Sequence, residues 1–297
     1  MLLIPIQGGQ CGDASNLIYT IDDHVVKAAY PEGCMLNELV IPGIPDTYRA
    51  LQMHIHLFSE HSIDGYHFPA ELHIVHARDD LMRFAVVGMM LQPTALDNHP
   101  VFEDLLTGWE AVASATEAAC ARRALGEAIE PRNQRELQGA NWNAYELLPE
   151  NPSFFHYDGG LTTPPCSQVV WWNLASKPTE ISVSQFNRLS DYILNFVDPT
   201  TCAPATVASV GGSTSRPPQP LNGRSVDLIC QTGMMAPPKK GKNMGMKGMA
   251  KKMPGKKDKK KMGGMMKDKK AMKKGKYYRH LLNEEGEVIA GIRGASV

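Results

Sequence analysis

The chain has 297 residues, 43% hydrophobic and 21% charged, and its 31 Lys and Arg balance 31 Asp and Glu. That zero hides two unlike parts: residues 1–235 carry 12 basic against 26 acidic side chains, a net −14, whereas residues 236–297 carry 19 against 5, a net +14. No apolar run is long enough to cross a membrane, and six cysteines without any C-x-x-C spacing are too sparse for a disulfide-built scaffold, which leaves one domain of about 230 residues with a cationic extension.

The opening "MLLIPIQGGQ" has no basic stretch, and its apolar run is too short for a secretory signal. From "NLIYTIDDHVVKAAY" through "TYRALQMHIHL" to "LHIVHA" and "LMRFAVVGMML", alternating or β-branched runs are broken by Gly, Pro and Asp, which is the pattern of a sheet.

The segment at 54–76, "HIHLFSEHSIDGYHFPAELHIVH", holds six of the ten histidines and two glutamates. On a strand His54 and His56 share one face, with Met53, Ile55 and Leu57 on the other. In "AELHIVH" the same alternation groups Glu71, His73 and Val75, and sends Leu72, Ile74 and His76 to the opposite face. Asp64-Gly65 favours a tight turn between the runs, which lets the two strands return beside one another. Three imidazoles then converge, a donor set that suits Zn²⁺ with a fourth position open for water. Glu71, two residues before His73, is placed to take the second ring N–H of a ligand. The competing reading is a set of satisfied core or surface histidines, which a lone His-x-His would favour.

Residues 101–128 read as a helix with Leu105, Trp109 and Val112 along one face, and "SVSQFNRLSDYIL" as a second helix with Ser184 as its N-cap. The fold expected is mainly β or α+β: a large, twisted, mostly antiparallel central sheet with peripheral helices.

Residues 144–172, "AYELLPENPSFFHYDGGLTTPPCSQVVWW", together with "HIH", "SEH" and "AELHIVH", resemble the α-class carbonic anhydrases, and "SRPPQPLNGR" is similar to that family's closing segment. The resemblance runs from about residue 16 to about residue 230. It implies reversible hydration of CO₂ to bicarbonate, with Zn²⁺ held by His54, His56 and His73 and a zinc-bound hydroxide as nucleophile. By the same resemblance Thr162 orients that hydroxide by donating to Glu60, and His24 carries protons to bulk buffer. The apolar CO₂ pocket matches Val75, Leu161, Val170 and Trp172, with Thr163 at its rim, and Gln52 supports a ligand from behind. Departures from the family are Leu57 and Phe58 after the second ligand, and Asp22 and Lys27 in the cleft wall. In secreted members the cysteine after "TTPP" often pairs near the N-terminus, which would join Cys166 to Cys11; buried free thiols are the alternative. The family's tryptophan- and tyrosine-bearing N-terminal segment and its Q-S-P strand have no match, so the chain is read as N-terminally incomplete rather than as intracellular, and a secreted origin stays open.

After Cys230 the composition turns to Lys, Met and Gly. The division expected is a catalytic domain at 1–232, a disordered segment at 233–276 and a short segment at 277–297 with a hairpin about Asn283–Gly286. The lysines suit an anionic surface or polyanion. Nucleic acid fits less well, because arginines are few and the only aromatics there are Tyr277 and Tyr278. Two rival readings are a non-catalytic relative that keeps the fold for binding, and a matrix or mineral-associated protein anchored by the cationic extension.

Overall fold

The computed structural model describes residues 2–5, 16–31, 37–40, 44, 46–127, 134–138, 144–150 and 152–230. Cys11, the lysine-rich segment at 233–276 and the hairpin expected at 277–297 lie outside the described residues. In chain order the first strands are β1 (Leu2–Pro5), β2 (Asn16–Ile21), β3 (Val26–Ala29), β4 (Asn37–Val40), β5 (Thr47–Leu57), β6 (Ser62–Ile63), β7 (Tyr66–His67), β8 (Ala70–Ala77) and β9 (Phe84–Ala95). There follow α1 (Pro100–Ala124), β10 (Gln134–Gln138), a 3-10 turn (Ala144–Leu147), β11 (Ser153–Gly159), β12 (Val170–Ala175), β13 (Thr179–Ser182), α2 (Val183–Leu194) and β14 (Asp227–Cys230).

Twelve of the strands form one sheet, whose main path runs β10-β2-β3-β5-β8-β9-β12-β11-β14. All of its pairings are antiparallel except those of β12 and β13 with β9, so the expected mostly antiparallel sheet with few helices is what the chain forms. β6 and β7 make a separate hairpin, and its turn residues Asp64 and Gly65 both take positive φ, 52° and 75°, as a two-residue type I′ turn requires.

One face of β5 and β8 builds the core. Met53, Ile55, Leu72 and Ile74 are fully buried there, each contributing about 1.5–3 kcal/mol. The same core takes in α1, which packs against β2 and α2 and buries Phe102, Leu105, Leu106, Trp109 and Val112. α1 comes close to β2 at Gly108, where an added Cβ would stand 2.1 Å from the Tyr19 ring. Trp109 Nε1–H donates to the Lys27 carbonyl at 2.9 Å, tying the helix to β3.

Two expectations are corrected. The N-cap of α2 is Ser182, not Ser184: Ser182 Oγ accepts the Gln185 N–H at 3.1 Å and Gln185 Oε1 accepts the Ser182 N–H at 3.2 Å, a reciprocal box that only the Ser182/Gln185 spacing supplies. Cys166 is a free, half-buried thiol and so is not paired with Cys11. Among the described residues a disulfide joins Cys120 to Cys202, whose Cα atoms are 5.5 Å apart across a sequence separation of 82.

Candidate metal centre

The cross-strand register puts His54 of β5 directly opposite His73 of β8, and His56 opposite Glu71. Pleating aims all four side chains at the face away from the core. One ring nitrogen each of His54, His56 and His73 lies within 4.8 Å of the other two, close enough for the three to hold a metal ion.

Each imidazole keeps a nitrogen for that point. Gln52, on the same face of β5, contacts His54 Nδ1 through Oε1 at 3.0 Å, which leaves Nε2. Glu71 Oε1 accepts His73 Nε2–H at 2.8 Å, which leaves Nδ1, and this atom stands 3.2 Å from His54 Nε2. Both nitrogens of His56 are buried without a hydrogen-bond partner among the described residues. Burial and the neighbouring His73 and His56 hold His54 well below the usual imidazole range, and burial, partly offset by Glu60, pushes His56 down to about 4. Unprotonated rings with a lone pair left over are what a metal needs.

Glu71 is fully buried. Burial opposes its ionisation, but His61 and His73 outweigh that and keep the carboxyl well below its ordinary range. Besides His73 it accepts the His61 backbone N–H at 2.9 Å and touches His61 Nδ1 at 2.6 Å, while His61 Nε2 meets the Tyr157 hydroxyl at 2.5 Å. Burial alone would lower His61, yet the Glu71 carboxylate raises it overall. Gly88 of β9, opposite His73, leaves room for this pair: a Cβ there would lie 3.2 Å from Glu71 Oε1 and 2.8 Å from Leu174 Cδ1.

The three imidazoles open on a cavity of about 400 Å³ whose wall includes His24, Lys27, Val75, Leu161 and Thr162. The sequence profile of the eukaryotic-type carbonic anhydrases matches residues 13–229. The chain belongs to that family. It is 32% identical over 182 residues to a carbonic anhydrase of Nostoc sp., a match that covers 60% of this chain and 53% of that protein, so the chain spans about half the length of that curated relative. A carbonic anhydrase from an active hydrothermal vent chimney superposes with a TM-score of 0.55 at 26% identity, over 77% of this chain and 81% of that one. The Chlamydomonas reinhardtii carbonic anhydrase solved with acetazolamide gives 0.53 at 26% identity, over 77% and 85%.

Carbonic anhydrase candidates that the sequence singled out meet here, with two exceptions. Val75, Leu161, Thr163 and Trp172 line the cavity, and Gln52 and Glu71 contact the His54 and His73 rings. Val170 does not line it; it is fully buried in the small cluster behind, with Val86 and Trp172. Val86 takes the wall position that the sequence reading missed; it sits opposite Val75 in the β8–β9 register, a relation invisible before strand pairing is known. The second exception is the bond implied between Thr162 and Glu60. It is not formed: Glu60 Oε2 is buried without a partner among the described residues and stands 3.7 Å from His56 Nε2, while Oε1 accepts the Arg216 backbone N–H at 3.0 Å. Glu60 is brought back under His56 by a turn immediately after β5, in which Phe58 takes φ 57° and Phe58 and Ser59 N–H donate to Pro69 and Phe68. His61 and Tyr157 were missed as supports of Glu71; 96 residues separate them.

Proposed function

We propose that this chain hydrates CO₂ reversibly to bicarbonate and a proton, with zinc bound by His54 Nε2, His56 and His73 Nδ1. The observation that carries the reading is the convergence of three imidazoles, two with their second nitrogen taken by Gln52 and Glu71, beside a cavity with an apolar wall. Zinc in carbonic anhydrases is itself the established example of an ion that lowers the pKa of a coordinated water to about 7, and here it would supply hydroxide at neutral pH. The protein's share is binding, orientation and proton removal. Val75, Val86, Leu161 and Trp172 offer a small apolar substrate a wall with no hydrogen-bonding demand. Thr162, on the cavity wall, would position the reacting oxygen: with its O–H donated as a hydrogen bond to Glu60 Oε2, which has no such partner among the described residues, its own oxygen is left to accept. The Arg216 N–H holds Glu60 for that purpose. His24, on the cavity wall and partly exposed, takes the proton to bulk buffer, a step for which histidine is the side chain most often used.

Metal analysis of the purified chain together with stopped-flow CO₂ hydration tests this. One zinc per chain, with activity lost on chelation and regained on zinc addition, is the expected outcome. Zinc without hydration would place the chain among members that keep the fold for binding. The polyanion partner of the lysine-rich segment rests on charge alone: removing residues 233–297 should abolish retention on heparin at low salt while zinc content and hydration persist. No helix among the described residues is long and apolar enough to cross a membrane.

A further inference from the structure

His24 does not stand free on the cavity wall. Its Nδ1 lies 2.5 Å from Asp23 Oδ1, the carboxylate of the preceding residue. We propose that Asp23 is a positioning residue that fixes the ring orientation and tautomer of His24, so that His24 exchanges protons through Nε2. This rests on the reading of His24 as the proton carrier.

The backbone around the pair is pinned on both sides. The Asp22 N–H donates to the Val25 carbonyl at 2.9 Å, closing the turn, and the Asp23 carbonyl accepts the Val207 N–H at 2.9 Å and the Thr206 hydroxyl at 3.4 Å. Asp22 in turn meets Lys27 Nζ at 3.4 Å on the same wall. Asp23 therefore offers its carboxylate from a backbone held on both sides. A carboxylate only accepts, so the proton shared between the two groups belongs to Nδ1, and Nε2, with no protein partner among the described residues, is the nitrogen left for exchange. An untethered surface imidazole samples several rotamers and both tautomers, and only some of them present a basic nitrogen to the cavity. Both side chains remain partly exposed, His24 at 38% and Asp23 at 46%, which keeps the exit to solvent open. It also limits the tether to about a two- to fivefold bias, the worth of an exposed ion pair.

The test uses the zinc-loaded full chain in a weak buffer. Asp23→Ala should lower kcat about two- to fivefold, leave kcat/KM for CO₂ unchanged, and recover in imidazole buffer. Asp23→Asn, whose carboxamide oxygen still accepts from Nδ1–H, should keep most of the rate. In a His24→Ala background Asp23→Ala should cost nothing further, because the two residues act as one unit. A second readout needs neither zinc nor activity: long-range ¹H–¹⁵N spectra of histidine-labelled protein should show His24 as the Nδ1–H tautomer, and a tautomer mixture after Asp23→Ala. If His24→Ala lowers kcat but Asp23→Ala does not, or if the double variant is additive, or if the tautomer is unchanged by Asp23→Ala, the tether is overturned and the carrier stands. If His24→Ala itself leaves kcat unchanged, the carrier reading fails and the kinetic role of Asp23 falls with it.

Discussion

His73 and His76 are three residues apart on β8, and both are buried, at 1% and 0% exposure. They point to opposite faces of the same sheet, and their nitrogens are used differently. His76 spends both: Nδ1–H donates to the Ala85 carbonyl at 3.1 Å and Nε2 meets the Tyr145 hydroxyl, with the two rings stacked at 5.9 Å. His73 spends one on Glu71 and turns the other toward His54. Burial and histidine content do not distinguish them. The nitrogen left over does, and on the His73 face that condition is met three times at one point.

The largest expected effect breaks this contrast directly. His73→Ala should remove zinc from the purified protein and with it all measurable hydration, whereas His76→Ala should keep one zinc and cost about 1–3 kcal/mol of stability through a lost buried hydrogen-bonding group. Equal zinc loss in both variants would mean that the two faces are not separate. Next come Thr162→Ala and Glu60→Gln, which should keep zinc yet lower the hydration rate about 10²–10³-fold, the usual cost of removing an orienting group in a dry site; zinc loss in either would move that residue among the groups that hold the metal. Glu71→Gln should be milder, weakening zinc affinity about 10–100-fold, because an amide still takes a hydrogen bond from His73 but no longer carries the charge that His61 and His73 both meet. A competition titration against a chelator reads this, and an unchanged affinity would reduce Glu71 to packing.

What could be seen from sequence follows the range of the interaction. Period-2 alternation fixed which of Met53–Leu57 and Glu71–His76 share a face, and both strands obey it. Asp64-Gly65 marked the turn for a local reason, positive φ at both positions. Roles for Thr162, Glu60 and His24 came only from the family's motifs, since a threonine before two prolines or a histidine on a turn has no periodic signature. Nothing local announced Val86, which faces Val75 only through the β8–β9 register, or the His61–Tyr157 contact. The Cys120–Cys202 bond escaped for the same cause: the end of α1 and the loop after α2 meet through tertiary packing. The Ser184 cap was a local error, because Gln185 sits three residues after Ser182 and completes the box there.

The smallest effect concerns His76 and sharpens the comparison by pH. Burial pushes its pKa down to about 4, although the bond to the Ala85 carbonyl works the other way, against about 6.5 in an unfolded chain. As pH falls from 6.5 toward 4, the unfolded chain takes up a proton that folded His76 refuses, so the unfolded state binds more protons and stability falls with falling pH. The contribution is present in full above pH 6.5 and is lost through that window, at most about 3 kcal/mol. His76→Gln retains a polar side chain but cannot titrate. Denaturant unfolding of wild type and variant at matched zinc content, from pH 7 to pH 4, should therefore give a stability difference that shrinks steadily toward acid, while contributions from the histidines on the His73 face cancel between the two proteins. A difference that stays constant with pH would show that His76 takes up its proton without cost, and that its face of the sheet is less closed to charge than the packing of Leu72, Ile74 and Tyr145 around it implies.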